Sequence, residues 1–329
     1  MVFKAYRVFE TDGEITSHLS MLELNDLSPG DVVIRVEYSS INYKDALAAT
    51  GRGKIMRQLP LNAGIDCAGV VESSSSDLFK KGDRVLVNGA GMGEVFDGGL
   101  AQLVRVNADL VVPLPPEMSS FDAMAIGTAG FTAALCIHRM RANGQERDMG
   151  PIAVTGASGG VGSVAICLLA KMGFEVVAIS GREEHHAYLK DLGAATVTKV
   201  EDLNLGTKPL EKTRFGGVID NTGGEVLSQL FAHTELWGNI ACVGMAASPK
   251  LQASVFPLIL RGVSLLGISS ANCPMPLRKQ IWQSLGKEYP AGLAEKIVEK
   301  TVPLTQIGPC FTEILDRQHR GRLVVDCQQ

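Results

Sequence analysis

The chain has 329 residues and a formal net charge of −4 at pH 7, with 46% hydrophobic and 5% aromatic residues. This length exceeds the ~150 residues of a typical single core, so two domains are expected. A net negative chain has no overall basic field, which argues against nucleic acid as its main partner. No run reaches the ~18 continuous apolar residues of a membrane helix, and the N-terminus lacks an apolar signal core, so we expect no membrane partner and a cytoplasmic protein.

The seven cysteines are scattered, and no two form a CxxC pair. Several lie in apolar runs, among them Cys167 and Cys242. This distribution predicts buried, reduced thiols and not a metal centre.

The first third of the chain predicts strands separated by glycine and proline. The runs are Asp31–Tyr38, Gly69–Val71 and Arg84–Val87. They indicate a compact, partly barrel-like β domain. The proline-rich stretch Val111–Pro116 follows, and then a helical pattern over 118–137, so we place a domain boundary there.

The middle of the chain alternates strands and helices. The predicted strands are Ile152–Thr155, Glu175–Ile179, Thr196–Thr198, Gly217–Asp220, Asn239–Val243 and Ser264–Ile268, and the predicted helices are Gly160–Met172, Glu183–Leu192 and Glu225–Leu236. Such alternation is typical of an α/β fold with a doubly wound, parallel Rossmann sheet. Two further helical patterns follow Arg278, and Gly321–Asp326 predicts a strand that returns to the first domain. We therefore predict a dinucleotide-binding domain, 118–294, inserted into a catalytic domain, 1–117 and 295–329.

The strongest local motif is the glycine-rich turn between the first strand and the first helix of this alternation. Read as GxGxxG, its positions are Ala157, Gly159 and Gly162, so the first is alanine, although Gly156 precedes it. Glycine lets the backbone approach a pyrophosphate, and the helix N-terminus supplies N–H donors. The alternative is a turn that binds nothing. The candidate cofactor contacts here are Ala157, Ser158, Gly159, Gly160, Val161 and Gly162.

The next predicted strand ends in Ser180, Gly181 and Arg182. An NAD enzyme usually places a carboxylate there to hold the ribose hydroxyls. An arginine and a hydroxyl favour a 2′-phosphate instead, so we predict NADPH. Glu183 and Glu184 are expected in the first turn of the following helix. The alternative for Arg182 is a solvated side chain.

Other strand ends should face the same ligand, because ligands bind at the carboxyl ends of parallel strands. The candidates are Asn221, Thr222, Gly223, Gly244, Met245, Ser269 and Ser270.

Six motifs run along nearly the whole chain in a specific order. They are Asn42–Asp45, Gly64–Val71, Gly82–Val85, Gly98–Gln102, Gly127–Thr132 and Gly321–Val325. With the central glycine-rich turn, they resemble the medium-chain dehydrogenase/reductase superfamily. The resemblance implies a Rossmann domain inserted into a GroES-like catalytic domain, and Thr132 is added to the candidate cofactor residues.

The zinc alcohol dehydrogenases of that superfamily carry cysteine where this chain has Asn42, and a His-Glu pair where it has Ile65 and Asp66. The segment 88–99, which matches their structural-zinc lobe, contains no cysteine. Isoleucine cannot bind a metal, so we expect no zinc.

Within the zinc-free, quinone-oxidoreductase-like branch, several runs look like the acrylyl-CoA reductase subfamily. They are 39–48, 51–55, 64–71, 126–133, 154–163 and 180–183. The resemblance implies NADPH-dependent reduction of acrylyl-CoA to propanoyl-CoA. It also implies a homodimer in which the edge strand 264–268 pairs with its copy.

Reduction of an unsaturated thioester requires a proton at Cα and stabilisation of negative charge on the thioester oxygen. Tyr43 is the first candidate donor, with two alternatives: packing against the nicotinamide, or a buried core tyrosine. Asn42 and Asp45 could orient Tyr43 or hold the ribose, and Asp45 could equally pair with an arginine as scaffold.

Arg52, Lys54 and Arg57 form a basic cluster that could contact CoA phosphates, although a solvated loop is slightly favoured. Two other functions remain open from sequence. One is a reductase for quinones or small free enones, and the other is a non-enzymatic NADPH-binding protein.

Overall fold

The computed structural model describes residues 2–290 and 292–329. The chain divides by contacts into two compact units. The first runs up to Phe131 and includes Ser270–Tyr289 and Ala294–Gln329, and the second holds Thr132–Ser269 and Pro290–Leu293. The limits predicted from sequence, at 117/118 and 294/295, stay a prediction.

The elements within the described residues follow the chain in this order. The strands are β1 (Val2–Thr11), β2 (Glu14–Glu23), β3 (Val32–Ile41), β4 (Leu61–Asn62), β5 (Asp66–Ser74), β6 (Arg84–Asn88), β7 (Leu103–Val106), β8 (Val112–Pro113), β9 (Ile152–Thr155), β10 (Val176–Ile179), β11 (Thr196–Thr198), β12 (Phe215–Asp220), β13 (Thr234–Cys242), β14 (Ser264–Gly267), β15 (Val298–Pro303) and β16 (Arg322–Asp326). The helices are α1 (Tyr43–Ala49), α2 (Ser120–Ala142), α3 (Gly160–Lys171), α4 (His186–Asp191), α5 (Gly224–Ala232), α6 (Phe256–Arg261), α7 (Met275–Glu288), α8 (Leu293–Ile297) and α9 (Gly308–Leu315).

The first unit is built on two sheets. A three-stranded sheet has the order β2-β1-β4, and a seven-stranded sheet has the order β15-β16-β3-β5-β6-β8, with β7 on β3. Along β3 the side chains of Val32, Ile34 and Val36 are fully buried while those between them are partly exposed, as a strand with one face on the core requires. The terminal strand β16 pairs antiparallel with β3, as the sequence predicted.

The second unit is a six-stranded parallel sheet of order β11-β10-β9-β12-β13-β14. Its inner strands β9, β10 and β12 are buried throughout. A sheet whose faces are both covered by helices needs such continuous apolar strands. The predicted α/β fold class, with its doubly wound parallel sheet, is confirmed.

Three predicted helices differ from the structure. The helix predicted over Glu225–Leu236 ends at Ala232, because Thr234 is buried and joins the sheet opposite Phe215. The segment predicted over Glu183–Leu192 opens with a 3₁₀ turn, Glu183–His185, before α4. α7 begins at Met275, before Arg278, with a proline in its first turn.

The helix α2 carries a break in its middle. Gly127 has φ 51° and ψ −160°, which no other residue type adopts readily. By length and composition this helix could cross a membrane, but 78% of its apolar window is buried inside the protein. A buried core helix of a globular protein meets the same criteria of length and composition. The length and composition of α2 are therefore only weak evidence that it spans a membrane.

All seven cysteines are free thiols, and six of them are buried. Burial raises the pKa of Cys67 to about 12. It also raises the pKa of the thiols of Cys136, Cys242, Cys273, Cys310 and Cys327. These six thiols therefore stay protonated at neutral pH.

Candidate active site

The glycine-rich turn links β9 to α3 in the second unit. Gly156 takes φ 56° directly after the strand, and its carbonyl accepts a hydrogen bond from the N–H of Gly159 at 3.0 Å. The tight turn is thus made by Gly156, which explains why Ala157 is tolerated where the motif has its first glycine. Gly159 caps α3, so the first N–H groups of that helix lack partners within the helix and form an anion site.

The third glycine of the motif allows α3 to pack closely on the turn. A Cβ at Gly162 would lie 2.6 Å from the carbonyl oxygen of Ala157 and 2.7 Å from its Cα. Ala157 is itself fully buried. Any side chain at position 162 would push the helix N-terminus away from the turn and spoil the anion site.

Ser180, Gly181 and Arg182 follow the end of β10. Ser180 is buried, its N–H donates to the carbonyl of Thr198, and its hydroxyl accepts from the N–H of Arg182 at 3.3 Å. A Cβ at Gly181 would meet nothing within 4 Å, so there is room beside the strand end. As predicted, Glu183 begins the following turn, where it forms an ion pair with Lys199. The nearest carboxylate is therefore compensated by a lysine.

A buried carboxylate, Asp220, ties the ends of β9 and β12 together. It accepts from the hydroxyl of Thr155 at 2.7 Å and from the N–H of Gly223 at 2.7 Å. The Asn221 amide donates to the carbonyl of Thr155 at 2.7 Å, which leaves its side-chain oxygen buried without a partner in the described part of the chain. A donor on a bound ligand would satisfy that oxygen.

The structure brings most of the predicted cofactor residues to one edge of the sheet. The turn residues 157–162, Ser180–Arg182, Asn221, Thr222, Gly223, Gly244 and Met245 all follow the carboxyl ends of β9, β10, β12 or β13. A Cβ at Gly244 would lie 2.4 Å from the carbonyl oxygen of Asn221, so that position requires glycine. Met245 is 69% exposed. A helix-capped glycine turn, an arginine and an orphaned acceptor together fit a phosphorylated dinucleotide.

Four predicted cofactor residues lie apart from that group. Ser269 follows β14 at a distance of two residues, and Ser270 belongs to the first unit. Thr132 is buried within α2, not at a strand end. Tyr43 is the first residue of α1 in the first unit. Their contacts with a cofactor stay predictions.

In the first unit, Asp66 is the centre of a buried polar cluster. It accepts from the amide of Asn42 at 2.7 Å, the hydroxyl of Ser40 at 2.8 Å and the hydroxyl of Thr128 at 2.6 Å. Its side chain is fully buried. Since an isolated buried carboxylate is costly, these donors are what allow the charge to stay in the core.

Arg322 closes the cluster from β16. Its guanidinium donates to the side-chain oxygen of Asn42 at 3.1 Å and to the hydroxyl of Ser40 at 2.8 Å, and it lies 3.8 Å from the carboxylate of Asp66. Burial lowers the pKa of Arg322, and the charges of Asp66 and Asp45 oppose that effect. The guanidinium fits here because residue 127 is glycine. A Cβ at that position would lie 2.5 Å from Nη2 of Arg322.

Asp45 supports the start of α1 and a neighbouring loop. Its carboxylate accepts from the N–H of Asn42 at 2.8 Å and from the N–H of Ile65 at 2.9 Å. Burial raises its pKa to about 7, although the N–H of Asn42 acts in the opposite direction. Both oxygens serve the backbone, which favours the scaffold role over direct chemistry.

Tyr43 lies beside this cluster at the start of α1, and its side chain reaches solvent. It follows Asn42, which caps α1, and it is 48% exposed. The alternative of a buried core tyrosine is therefore wrong. Its phenol makes no hydrogen bond to the described residues, so the group is available to a ligand.

Sequence reasoning missed Ser40, Asp66, Thr128 and Arg322 as parts of one site. Each lies inside a motif or run that was recognised, but these are far apart in sequence, and they meet only because β3 pairs with β5 and β16 and because α2 brings Thr128 to Asp66. Asp220 and Thr155 were also missed, although both are polar residues at the ends of buried strands, where such residues are informative.

Comparison with known proteins gives consistent matches over the whole chain. The family described as alcohol dehydrogenase GroES-like domain matches residues 28–116, and that described as zinc-binding dehydrogenase matches residues 160–285. The chain is 43% identical to the probable acrylyl-CoA reductase AcuI of Escherichia coli, over 96% of this chain and 97% of the relative. It is 40% identical to the putative quinone oxidoreductase YhfP of Bacillus subtilis, over 98% of each.

Solved structures agree with this likeness. The yhdH oxidoreductase of Salmonella enterica, in complex with NADP, superposes with a TM-score of 0.95 at 41% identity, covering 98% of this chain and 99% of the other. The Bacillus subtilis relative, with NAD bound, has a TM-score of 0.96 at 40% identity, covering 99% of each chain.

The second unit is a parallel sheet with a glycine-rich turn suited to a dinucleotide, and the first unit holds the buried polar cluster around Asp66. Together these features define a dinucleotide-dependent oxidoreductase. The chain belongs to the medium-chain dehydrogenase/reductase superfamily, and within it to the quinone-oxidoreductase-like branch that includes the acrylyl-CoA reductases.

Proposed function

We propose that this enzyme reduces the 2,3 double bond of acrylyl-CoA to give propanoyl-CoA, with NADPH as reductant. Support comes from the identity of 40–43% to two acrylyl-CoA reductases over nearly the full length. The single structural observation that carries the proposal is the exposed phenol of Tyr43 at the start of α1, where the zinc dehydrogenases have metal ligands in the surrounding positions.

The cofactor of this chain is NADPH, and its residues fit that assignment. NADPH supplies the hydride when bound. The N-terminus of α3 binds the pyrophosphate, and Ser180 and Arg182 bind the 2′-phosphate. The NAD complex of the Bacillus subtilis relative makes the preference for NADPH over NADH a property to be measured.

The catalytic roles in the first unit follow from the polar cluster. Tyr43 donates a hydrogen bond, and then a proton, as negative charge develops on the substrate. Asn42 holds the first turn of α1 through its bonds to Asp66 and Arg322, so that the phenol starts from a fixed backbone position. Asp45 holds the same turn from its other side.

The second candidate is reduction of quinones or small free enones. It is favoured by the likeness to the putative quinone oxidoreductase of Bacillus subtilis, which matches this chain as closely in length and identity as the acyl-CoA reductases do.

We also propose a cytoplasmic homodimer that joins through β14. This strand ends the parallel sheet and pairs on one side only, with β13, among the described strands. Large apolar side chains are exposed in the same unit, including Leu265, Trp237 and Ile259. An exposed strand edge flanked by apolar side chains is a surface that a second copy can cover.

The test follows NADPH absorbance with purified, chelator-treated enzyme. Acrylyl-CoA, crotonyl-CoA, free acrylate and a simple quinone are compared as acceptors, with NADH as the cofactor control. The proposal predicts fast oxidation of NADPH with acrylyl-CoA and little with acrylate or quinone. Faster turnover of the quinone would establish the second candidate instead.

A further inference from the structure

An open cleft of about 390 Å³ lies on the first unit, next to the loop that follows α1. Lys54, Ile55, Met56, Arg57 and Glu94 line it. The backbone fixes its walls, since the N–H of Arg57 donates to the carbonyl of Glu94 at 2.8 Å. The side-chain amide of Gln58 also donates to the carbonyl of Val95 at 2.9 Å. The cleft is thus defined by bonds that do not involve its charged side chains.

The charges around the cleft do not cancel. Glu94 is the acidic residue of the lining, and it is already paired with Lys44 at 2.6 Å. Lys54 and Arg57 are exposed, and neither has a carboxylate partner among residues 2–290 and 292–329. Two uncompensated cations on the rim of one cleft form a binding surface for an anion of more than one charge.

Arg52 belongs to the same basic cluster in sequence but does a different job. Its guanidinium lies 3.6 Å from the carboxylate of Asp316, and it does not line the cleft. The structure therefore divides the cluster into one arginine that is paired within the fold and two cations that are available to a ligand.

The floor of the cleft is apolar. Met56 is 8% exposed and Ile55 is half-buried. The Lys44–Glu94 pair also connects the cleft to α1, because Lys44 follows Tyr43 in that helix. A ligand with phosphates at one end and a long uncharged arm that leads to its reacting group has the chemistry this surface requires.

We propose that this cleft is the subsite for the phosphates of the CoA thioester, with Lys54 and Arg57 as its ligands and Ile55 and Met56 against the uncharged arm. The inference rests on the proposed function, and it explains how the enzyme distinguishes a CoA thioester from a free enone. The phosphates of NADPH are the other source of the same chemistry, and the experiment separates the two.

The test compares the double variant Lys54→Ala/Arg57→Ala with wild type on two substrates. One is acrylyl-CoA, and the other is the acrylyl thioester of N-acetylcysteamine, which has the same reacting group but no phosphates. We expect KM for acrylyl-CoA to rise about tenfold or more, equivalent to about 1.4 kcal/mol. KM for NADPH and kcat/KM for the truncated thioester should stay within twofold of wild type.

Arg52→Ala is the matched control, because it removes an exposed arginine of the same loop that does not line the cleft. It should leave KM for acrylyl-CoA unchanged. Titration calorimetry with free CoA gives a readout other than activity, and the double variant should bind CoA more weakly than wild type and Arg52→Ala do.

Three results would overturn the inference: an unchanged KM for acrylyl-CoA, an equal loss with the truncated thioester, or a rise in KM for NADPH alone, which would assign the cleft to the cofactor. Failure of the proposed function looks different, because wild type would then turn over neither thioester.

Discussion

Arg182 takes the position at the end of β10 where NAD enzymes carry a carboxylate. Arg182→Ala should therefore raise KM for NADPH at least tenfold and change KM for NADH by less than threefold, since one charge-assisted phosphate contact is worth about 1.5–3 kcal/mol. Steady-state kinetics with both cofactors measures this. Lys208→Ala, which removes an exposed lysine on the loop before β12, is the control. An equal effect on both cofactors would remove the phosphate assignment.

Tyr43 is the exposed phenol next to the buried cluster. Tyr43→Phe keeps the ring and removes the donor, so turnover should fall by roughly a hundredfold, in the range of general acid catalysis, while KM for NADPH stays close to wild type. Single-turnover NADPH oxidation separates this loss from product release. Turnover at the wild-type rate would show that solvent or another group supplies the proton.

At the residue scale, the sequence predicted what local patterns encode. The turn 156–162 is one continuous segment, and so is the triplet Ser180–Arg182. The strand, glycine and helix patterns around each segment therefore predict its position without any knowledge of the fold. The partners of Asn42 could not be found in this way, because Asp66 and Arg322 meet it only through the pairing of β3 with β5 and β16. The exposure of Tyr43 depends equally on packing that no local pattern contains.

The break in α2 at Gly127 leaves room for the buried polar cluster around Asp66 and Arg322. Gly127→Ala would place a methyl group 2.5 Å from Arg322, 2.7 Å from Asp66 and 2.7 Å from Ser40, in a backbone conformation that alanine avoids. We expect the free energy of unfolding to fall by about 3 kcal/mol or more, because the substitution both strains the backbone and disrupts a buried ion pair. Gly13→Ala is the control in the same unit, because Gly13 has φ 82° but a Cβ there would meet nothing within 4 Å, so the free energy of unfolding should fall by only about 1–2 kcal/mol.

The fluorescence emission of Trp282 can be used to measure this loss of stability within the first unit. Its indole is fully buried and donates to the side-chain oxygen of Asn88 at 2.9 Å, whereas Trp237, the second of the two tryptophans, is exposed. Urea unfolding of both glycine variants in a Trp237→Phe background therefore reports on the unit that holds Gly127. Equal midpoints for the two variants would contradict the clash.

The first turn of α1 should make the stability of the protein depend on pH. The pKa of Asp45 is raised to about 7, above its ordinary value, so the folded state holds a proton that the unfolded chain releases near pH 4. The free energy of unfolding from this group therefore falls as pH rises from about 4 to about 7, by at most about 1.4 kcal/mol per pH unit. Asp45→Asn should flatten that part of the profile, measured by urea unfolding between pH 5 and 8. Parallel profiles for the two proteins would contradict the assignment.

At the scale of the whole molecule, the edge strand β14 determines the proposed assembly. Leu265→Lys places a charge on that edge and should shift the protein from dimer to monomer, as measured by light scattering coupled to size exclusion. Leu78→Lys changes an equally apolar but more exposed leucine of the first unit and should leave the mass unchanged. A monomeric wild type, or a dimer that survives Leu265→Lys, would refute the proposed interface.

The overall architecture was largely predictable, because strand–helix alternation and the order of the motifs are properties of the sequence. The strands β1 and β2 were not predicted, and other errors lie at element ends: α5 stops four residues early because the sheet recruits Thr234, and α7 starts before Arg278 because a proline initiates it. Tertiary pairing overrides local preference at such ends.

The burial of the cysteines has a consequence for an enzyme of reactive alkenes. The activated double bond of the proposed substrate is an electrophile that alkylates thiolates, and a buried thiol with a raised pKa is a poor nucleophile. Six of the seven thiols are shielded by the fold, and the half-buried Cys242 also has a raised pKa. For the proposed substrate, burial and protonation of these thiols would therefore slow their alkylation, so that the fold itself protects the sulfur atoms.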